Sequence, residues 1–146
     1  MRKDERNKQI VSALKREGTI AGAARYAVVD RGTVRRLVAS HAEASDAWVV
    51  GQVALLMRRV LYHADRVRSS FRNFQQSNKR LEWARENLVR DYSKLSAEQV
   101  KEADQELVLL LDTVRLDLQK LRQCDRVHDR AIKRYTERCS GMPLCE

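Results

Sequence analysis

The chain has 146 residues, of which 43% are hydrophobic and 34% charged, with one proline, five glycines and 5% aromatics. That composition excludes a sheet sandwich, which needs a turn about every ten residues, and predicts an almost wholly helical protein. The net charge of +9 is unevenly spread: residues 1–46 carry 10 basic and 6 acidic groups, residues 47–95 carry 10 and 4, and residues 96–146 carry 9 and 10. The basic excess can therefore meet a polyanion while the last third is left for protein contacts. No apolar run approaches the ~18 residues of a membrane span, and the opening MRKDERNKQ leads into no apolar signal core, so a cytoplasmic location without membrane contact is expected. Cys124, Cys139 and Cys145 are odd in number and crowded near one end, which suits reduced thiols rather than a disulfide framework.

The first helix is expected from about Lys3 to Arg16, since Ile10, Val11 and Leu14 recur on one face and Arg6, Lys8, Lys15 and Arg16 lie off it. Gly18 stops it. Thr19 caps a short second helix through Tyr26, in which Ala21, Gly22, Ala23 and Ala24 allow close approach to a neighbour. After Ala27-Val28-Val29, Asp30 caps a third helix from Arg31 to about Ala39.

From about Ser45 the pattern lengthens. Val53, Val60, Val67, Phe74, Leu81, Leu88 and Leu95 recur at sevens, with a companion series of Met57, Ala64, Phe71, Asn78, Arg85 and Tyr92. This predicts one helix of about 45 residues, roughly 65 to 70 Å long. The chain then turns near Lys94-Leu95-Ser96, where Ser96 and Gln99 form a capping-box signature. Val100, Leu107, Val114 and Leu121 continue at sevens beside Leu111, Leu118 and Ile132, to an end near Arg138 before Ser140-Gly141-Met142-Pro143. Two long helices with a tight connection form an antiparallel hairpin. It is too thin to close its own core, and Val49, Val50, Leu55, Leu56, Val108, Leu109 and Leu110 flank its seams, so oligomerisation is expected. The fold class is all-α, with residues 1–44 a helix-turn-helix unit, 45–138 a coiled-coil-like hairpin for oligomerisation and 139–146 a tail.

The segment from Ile20 to Ala39 fits the helix-turn-helix pattern, with small Ala24 where the helices cross and Val29, Val34 and Leu37 at the turn and on the buried face. The outward residues are then Arg31, Gly32, Thr33, Arg35 and Arg36. Such a short-sided basic surface near a helix N-terminus can enter a major groove, where Arg bonds guanine bidentately and Thr33 reaches a base edge or phosphate. Thr19 and Arg25 on the preceding helix complete the expected set of contacts to double-stranded DNA. Val28 stands where the turn often has glycine. A β-branched residue resists the left-handed conformation, so a turn of another shape, or one shifted by a residue, is expected.

These residues resemble the N-terminal segment of phage terminase small subunits. The shared elements are an A-A-R-x-A helix at Ala23 to Ala27, a V-[SD]-R-x-T-V recognition helix at Val29 to Val34, and an F-x-x-A-W-like helix start at Ala44 to Trp48, with Ala44 in place of the aromatic. The likeness covers about the first 50 residues. It implies viral genome packaging in a bacteriophage: a homo-oligomeric ring that binds the packaging site and engages the terminase large subunit. The chain leaves no room for the small C-terminal β-barrel of some members, so the large-subunit contact is unplaced.

Other chemistry is sparse. Cys124 and His128 lie four apart, followed by Cys139 and Cys145, but this spacing matches no compact zinc knuckle, and neither metal nor cofactor is expected. His41 and His63 have no ligand cluster near them. Without a phosphate-cradling glycine loop, a serine elbow or a facing carboxylate pair, enzyme activity is not expected. The alternative function is a helix-turn-helix transcriptional regulator or transposase accessory protein dimerising through a coiled coil. One long helix would serve that purpose; this chain has two.

Overall fold

The computed structural model describes residues 2–141. Those residues are helical almost throughout: α1 (Lys3–Glu17), α2 (Ile20–Ala27), α3 (Arg31–Ser40), α4 (Ala42–Asp91) and α5 (Ala97–Ser140), with a short 3-10 turn at Tyr92–Lys94 ahead of α5. No helix among the described residues is long and apolar enough to cross a membrane. The chain divides into two compact units, residues 1–61 with 131–146, and residues 62–130. The long helices pass through both.

In the first unit each short helix ends for a local reason. Gly18 adopts φ 66°, and its N–H bonds Leu14 O, closing α1. Thr19 Oγ1 accepts from Gly22 N–H at 3.0 Å to start α2, and Asp30 Oδ1 accepts from Thr33 N–H at 2.8 Å to start α3. Both bonds satisfy amides that a helix N-terminus leaves without partners. The shared core is built largely of small side chains: Ile10, Ala13 and Leu14 from α1, Ala23, Ala24 and Ala27 from α2, Val34 and Leu37 from α3, and Ala44 and Ala47 from α4. The long helix starts at Ala42 rather than near Ser45, because its first turns supply part of this core, with Trp48 packed against it.

Alanine-rich packing requires helices to come close, and α1 meets α4 at two glycines. A Cβ added to Gly51 would stand 2.9 Å from Gly18 Cα and collide with Leu14 O; one added to Gly18 would run into the Gly51 carbonyl. Beside this crossing Arg58 Nη2 donates to Arg16 O at 3.3 Å, satisfying a carbonyl that the end of α1 leaves open.

In the second unit α4 and α5 pair antiparallel, as Ser70 Oγ beside Cys124 Sγ at 3.4 Å records. Between the helices Ser96 is the N-cap of α5: Gln99 N–H donates to Ser96 Oγ at 3.2 Å and Ser96 N–H donates to Gln99 Oε1 at 2.9 Å, the reciprocal box expected from the sequence. The seam of α4 carries Val67, Phe74, Leu81 and Leu88, as the heptads predict, but its second row is not the Phe71 series. His63, Ser70, Ser77 and Ala84 turn inward, while Phe71 remains 46% exposed. An a-to-d step of three residues from Val60 selects these small and polar groups, which carry no large apolar side chain to mark the row in the sequence. On α5, Val100, Leu107, Val114 and Leu121 face the seam with Ala103, Leu110, Asp117 and Cys124.

The glycine crossing makes a prediction whose sign is informative. Replacing a mid-helix glycine by alanine ordinarily gains about 1 kcal/mol. Gly51→Ala should instead lose about 1 to 3 kcal/mol in urea unfolding, since the methyl meets backbone rather than a movable side-chain end. A stabilised variant would mean that α1 and α4 separate freely.

Candidate nucleic-acid interface

The α2–α3 connection takes the conformation that the sequence argued against. Val28 sits in the left-handed region at φ 52° and ψ 49°. Two hydrogen bonds account for it: Val29 N–H to Ala24 O at 3.0 Å and Val28 N–H to Arg25 O at 3.3 Å, which together close the end of α2. The expectation of a different or shifted turn is thus corrected. An L residue here costs about 1 to 2 kcal/mol, and the carbonyls satisfied by the turn, with Ala27 and Val29 packed on either side, offset that strain. Val28 itself is 89% exposed and packs on little.

The turn delivers α3 with Val34 and Leu37 buried and Arg31, Gly32, Arg35 and Arg36 exposed. Thr33 is half-buried, and its hydroxyl is already engaged, donating to Asp30 Oδ2 and accepting from Arg36 Nη2 at 3.3 Å. It therefore orients Arg36 and secures the cap before it can meet any base. The Thr33 hydroxyl and then its amide, helped by the Arg36 charge, hold the Asp30 carboxyl below its ordinary value. A β-carbon at Gly32 would come within 2.9 Å of Asp30 Oδ1, so this glycine leaves room for the cap.

The remaining sequence-predicted residues separate. Arg25 is exposed on the last turn of α2. Thr19 is half-buried, spends its hydroxyl on Gly22, and borders a cleft shared with Arg59, Arg134 and Arg138. No local pattern could join those arginines, because α4 and α5 contribute them from distant parts of the chain.

A second basic run, along α4, comprises Arg58, Arg59, Arg66, Arg68 and Arg72. Arg58 bonds Arg16 O, Arg68 lies 3.4 Å from Asp65, and Arg66 stands over the Tyr62 ring at 5.9 Å. Three of its five guanidinium groups already have partners. On α3, Arg31, Arg35 and Arg36 are exposed with no carboxylate among the described residues in ion-pair range.

The two cysteines among the described residues form no common site. Cys124 and Cys139 are free thiols standing fifteen residues apart on α5, too far along one helix to share an ion, and Cys145 lies outside the described residues. Asp125, His128 and Asp129 bring their ligand atoms within 4.8 Å of one another on one turn of α5, in an arrangement common on exposed helices. Comparison with protein-family models, curated proteins and solved structures gave no match.

Two outcomes follow from the turn and its cap. Val28→Gly should stabilise the protein by about 0.5 to 1 kcal/mol, after the added freedom of an unfolded glycine is set against the strain relieved. Thermal melting checks it, and a loss would mean that the valine side chain is packed. Because the Asp30 value is lowered on folding, its contribution is present above the unfolded-state value and disappears as pH falls through the folded-state value. The stability gap between wild type and Asp30→Ala should therefore be open at neutral pH and close on acidification.

Proposed function

We propose that the chain is a non-catalytic DNA-recognition protein built on the phage terminase small-subunit plan. It binds the viral packaging site in double-stranded DNA as a homo-oligomer, with a ring as the expected form, and regulates the large ATPase and nuclease subunit. The observation that carries this reading is the exposed face of α3, where Arg31, Arg35 and Arg36 stand over a buried Val34 and Leu37 and form no ion pair among the described residues. A helix presenting arginines in this way can meet phosphates and read guanine in a major groove.

Assembly is supported by the exposed apolar side chains of the hairpin in residues 62–130. Phe71, Trp83 and Val89 of α4 and Val108, Leu109 and Leu116 of α5 are all exposed there. Exposed apolar groups of this size are suited to contact with a second copy of the same helices. Several DNA-binding units on one assembly would engage repeated sites together, so weak single contacts become useful affinity.

Two experiments bear on this. The Arg31→Ala, Arg35→Ala, Arg36→Ala triple variant, titrated with duplex DNA at two salt concentrations, should bind more weakly with a salt slope reduced by about one per lost phosphate contact; a lost base contact costs about 1 to 3 kcal/mol on the preferred sequence. Unchanged binding would remove α3 as the reading element. Phe71→Asp should dissociate the assembly in native mass measurement while leaving helicity intact, whereas Phe74→Asp should damage the hairpin itself. Eight or more wild-type subunits fit packaging, and two favour a transcriptional regulator.

A further inference from the structure

We propose that the cleft bordered by Thr19 at the start of α2, Gln52 and Arg59 of α4, and Arg134, Glu137 and Arg138 of α5 binds a phosphoryl group. The cleft lies wholly within the first unit, encloses about 590 Å³ and is separate from the outward face of α3. The proposal does not depend on the reading of α3.

Three observations lead to it. Three guanidinium groups converge on one space, yet none of them takes part in an ion pair among the described residues. Among the described residues that line the cleft the one carboxylate is Glu137, whose Oε1 lies 4.0 Å from Lys133 Nζ. Arg138 Nε is buried and has no hydrogen-bond acceptor among the described residues. A buried N–H without a partner is costly, and a bound ion or ligand is one of the few arrangements that accounts for it.

The balance of charge narrows the ligand. Three arginines against one glutamate leave the cleft at +2, which matches a phosphate monoester dianion better than a single carboxylate. Guanidinium forks offer parallel N–H pairs, and a phosphoryl group has enough oxygens to accept from several at once. The cleft is much larger than phosphate alone and falls within the usual size of small-ligand sites. Leu55 and Leu56 give it an apolar wall against which the sugar or base of a nucleotide could rest. The same chemistry is offered by a nucleoside phosphate and by a phosphate of the DNA backbone.

The test uses the full chain, Arg134→Ala and Arg138→Leu. Thermal melting is compared in phosphate and in chloride at matched ionic strength; because phosphate stabilises proteins generally, the variants supply the baseline. Wild type should gain more than either variant on exchange into phosphate. Arg138→Leu should melt no lower than wild type in chloride, since it removes the orphaned N–H, which separates loss of the ligand from loss of the fold. Calorimetry with ATP and anisotropy with a DNA duplex then distinguish the sources. A loss of about tenfold in ATP affinity in both variants identifies a nucleoside phosphate, and the same loss confined to the duplex identifies a backbone phosphate. Equal gains in phosphate for all three proteins, with unchanged ATP and duplex binding, would overturn the proposal.

Discussion

The first unit depends on one close approach, where the end of α1 lies against α4 with Gly18 and Gly51 facing each other and Leu14 O against the Gly51 backbone. Within this unit α2 and α3 follow directly from the end of α1. Gly18 closes α1, the next residue caps α2, and α2 leads through Val28 and Val29 to the cap of α3. Because Ala23, Ala24, Ala27, Ala44 and Ala47 make up half of the shared core, the helices gain stability by proximity rather than by large apolar groups. Each buried methyl contributes little, so dispersion over well-fitted backbone carries more of the load than it does in a leucine core.

That economy of side chains has a functional counterpart on α3. The residues that look most suited to direct base contact are not equally available. Thr33 is tied to Asp30 and Arg36, and Thr19 to the amide of Gly22, so both act first as structural caps. Arg31, Arg35 and Arg36 are left as exposed groups, with Arg36 steadied by Thr33. Under the DNA-recognition proposal, Asp30 offers a carboxylate near the phosphates but has its charge turned to the helix start, where the local dipole favours it.

Much of the fold was legible in the sequence because its determinants are local. Gly18, Thr19 and Asp30 punctuate the short helices where their side chains and backbone preferences place them, and Ser96 with Gln99 marks the start of α5. The failures have physical causes. Val28 adopts a backbone that its own preference opposes, since the hydrogen bonds that close α2 outweigh a penalty of about 1 to 2 kcal/mol. The inner row of His63, Ser70, Ser77 and Ala84 escaped notice because small and polar groups give no hydrophobic signal, although they share the heptad period. At the candidate interface, the arginines of α3 were visible as a local run, whereas the cleft of Arg59, Arg134 and Arg138 exists only once α4 and α5 are brought together.

The central claim is that duplex DNA meets this protein on the exposed face of α3. Hydrogen exchange of the full chain with and without a DNA duplex tests it most directly, since it locates the contact without altering any residue. The account predicts slowed exchange concentrated in the Asp30–Leu37 segment, weakening as salt is raised. Protection confined to the Arg58–Arg72 stretch of α4, or no protection at any salt concentration at which DNA is bound, would contradict it.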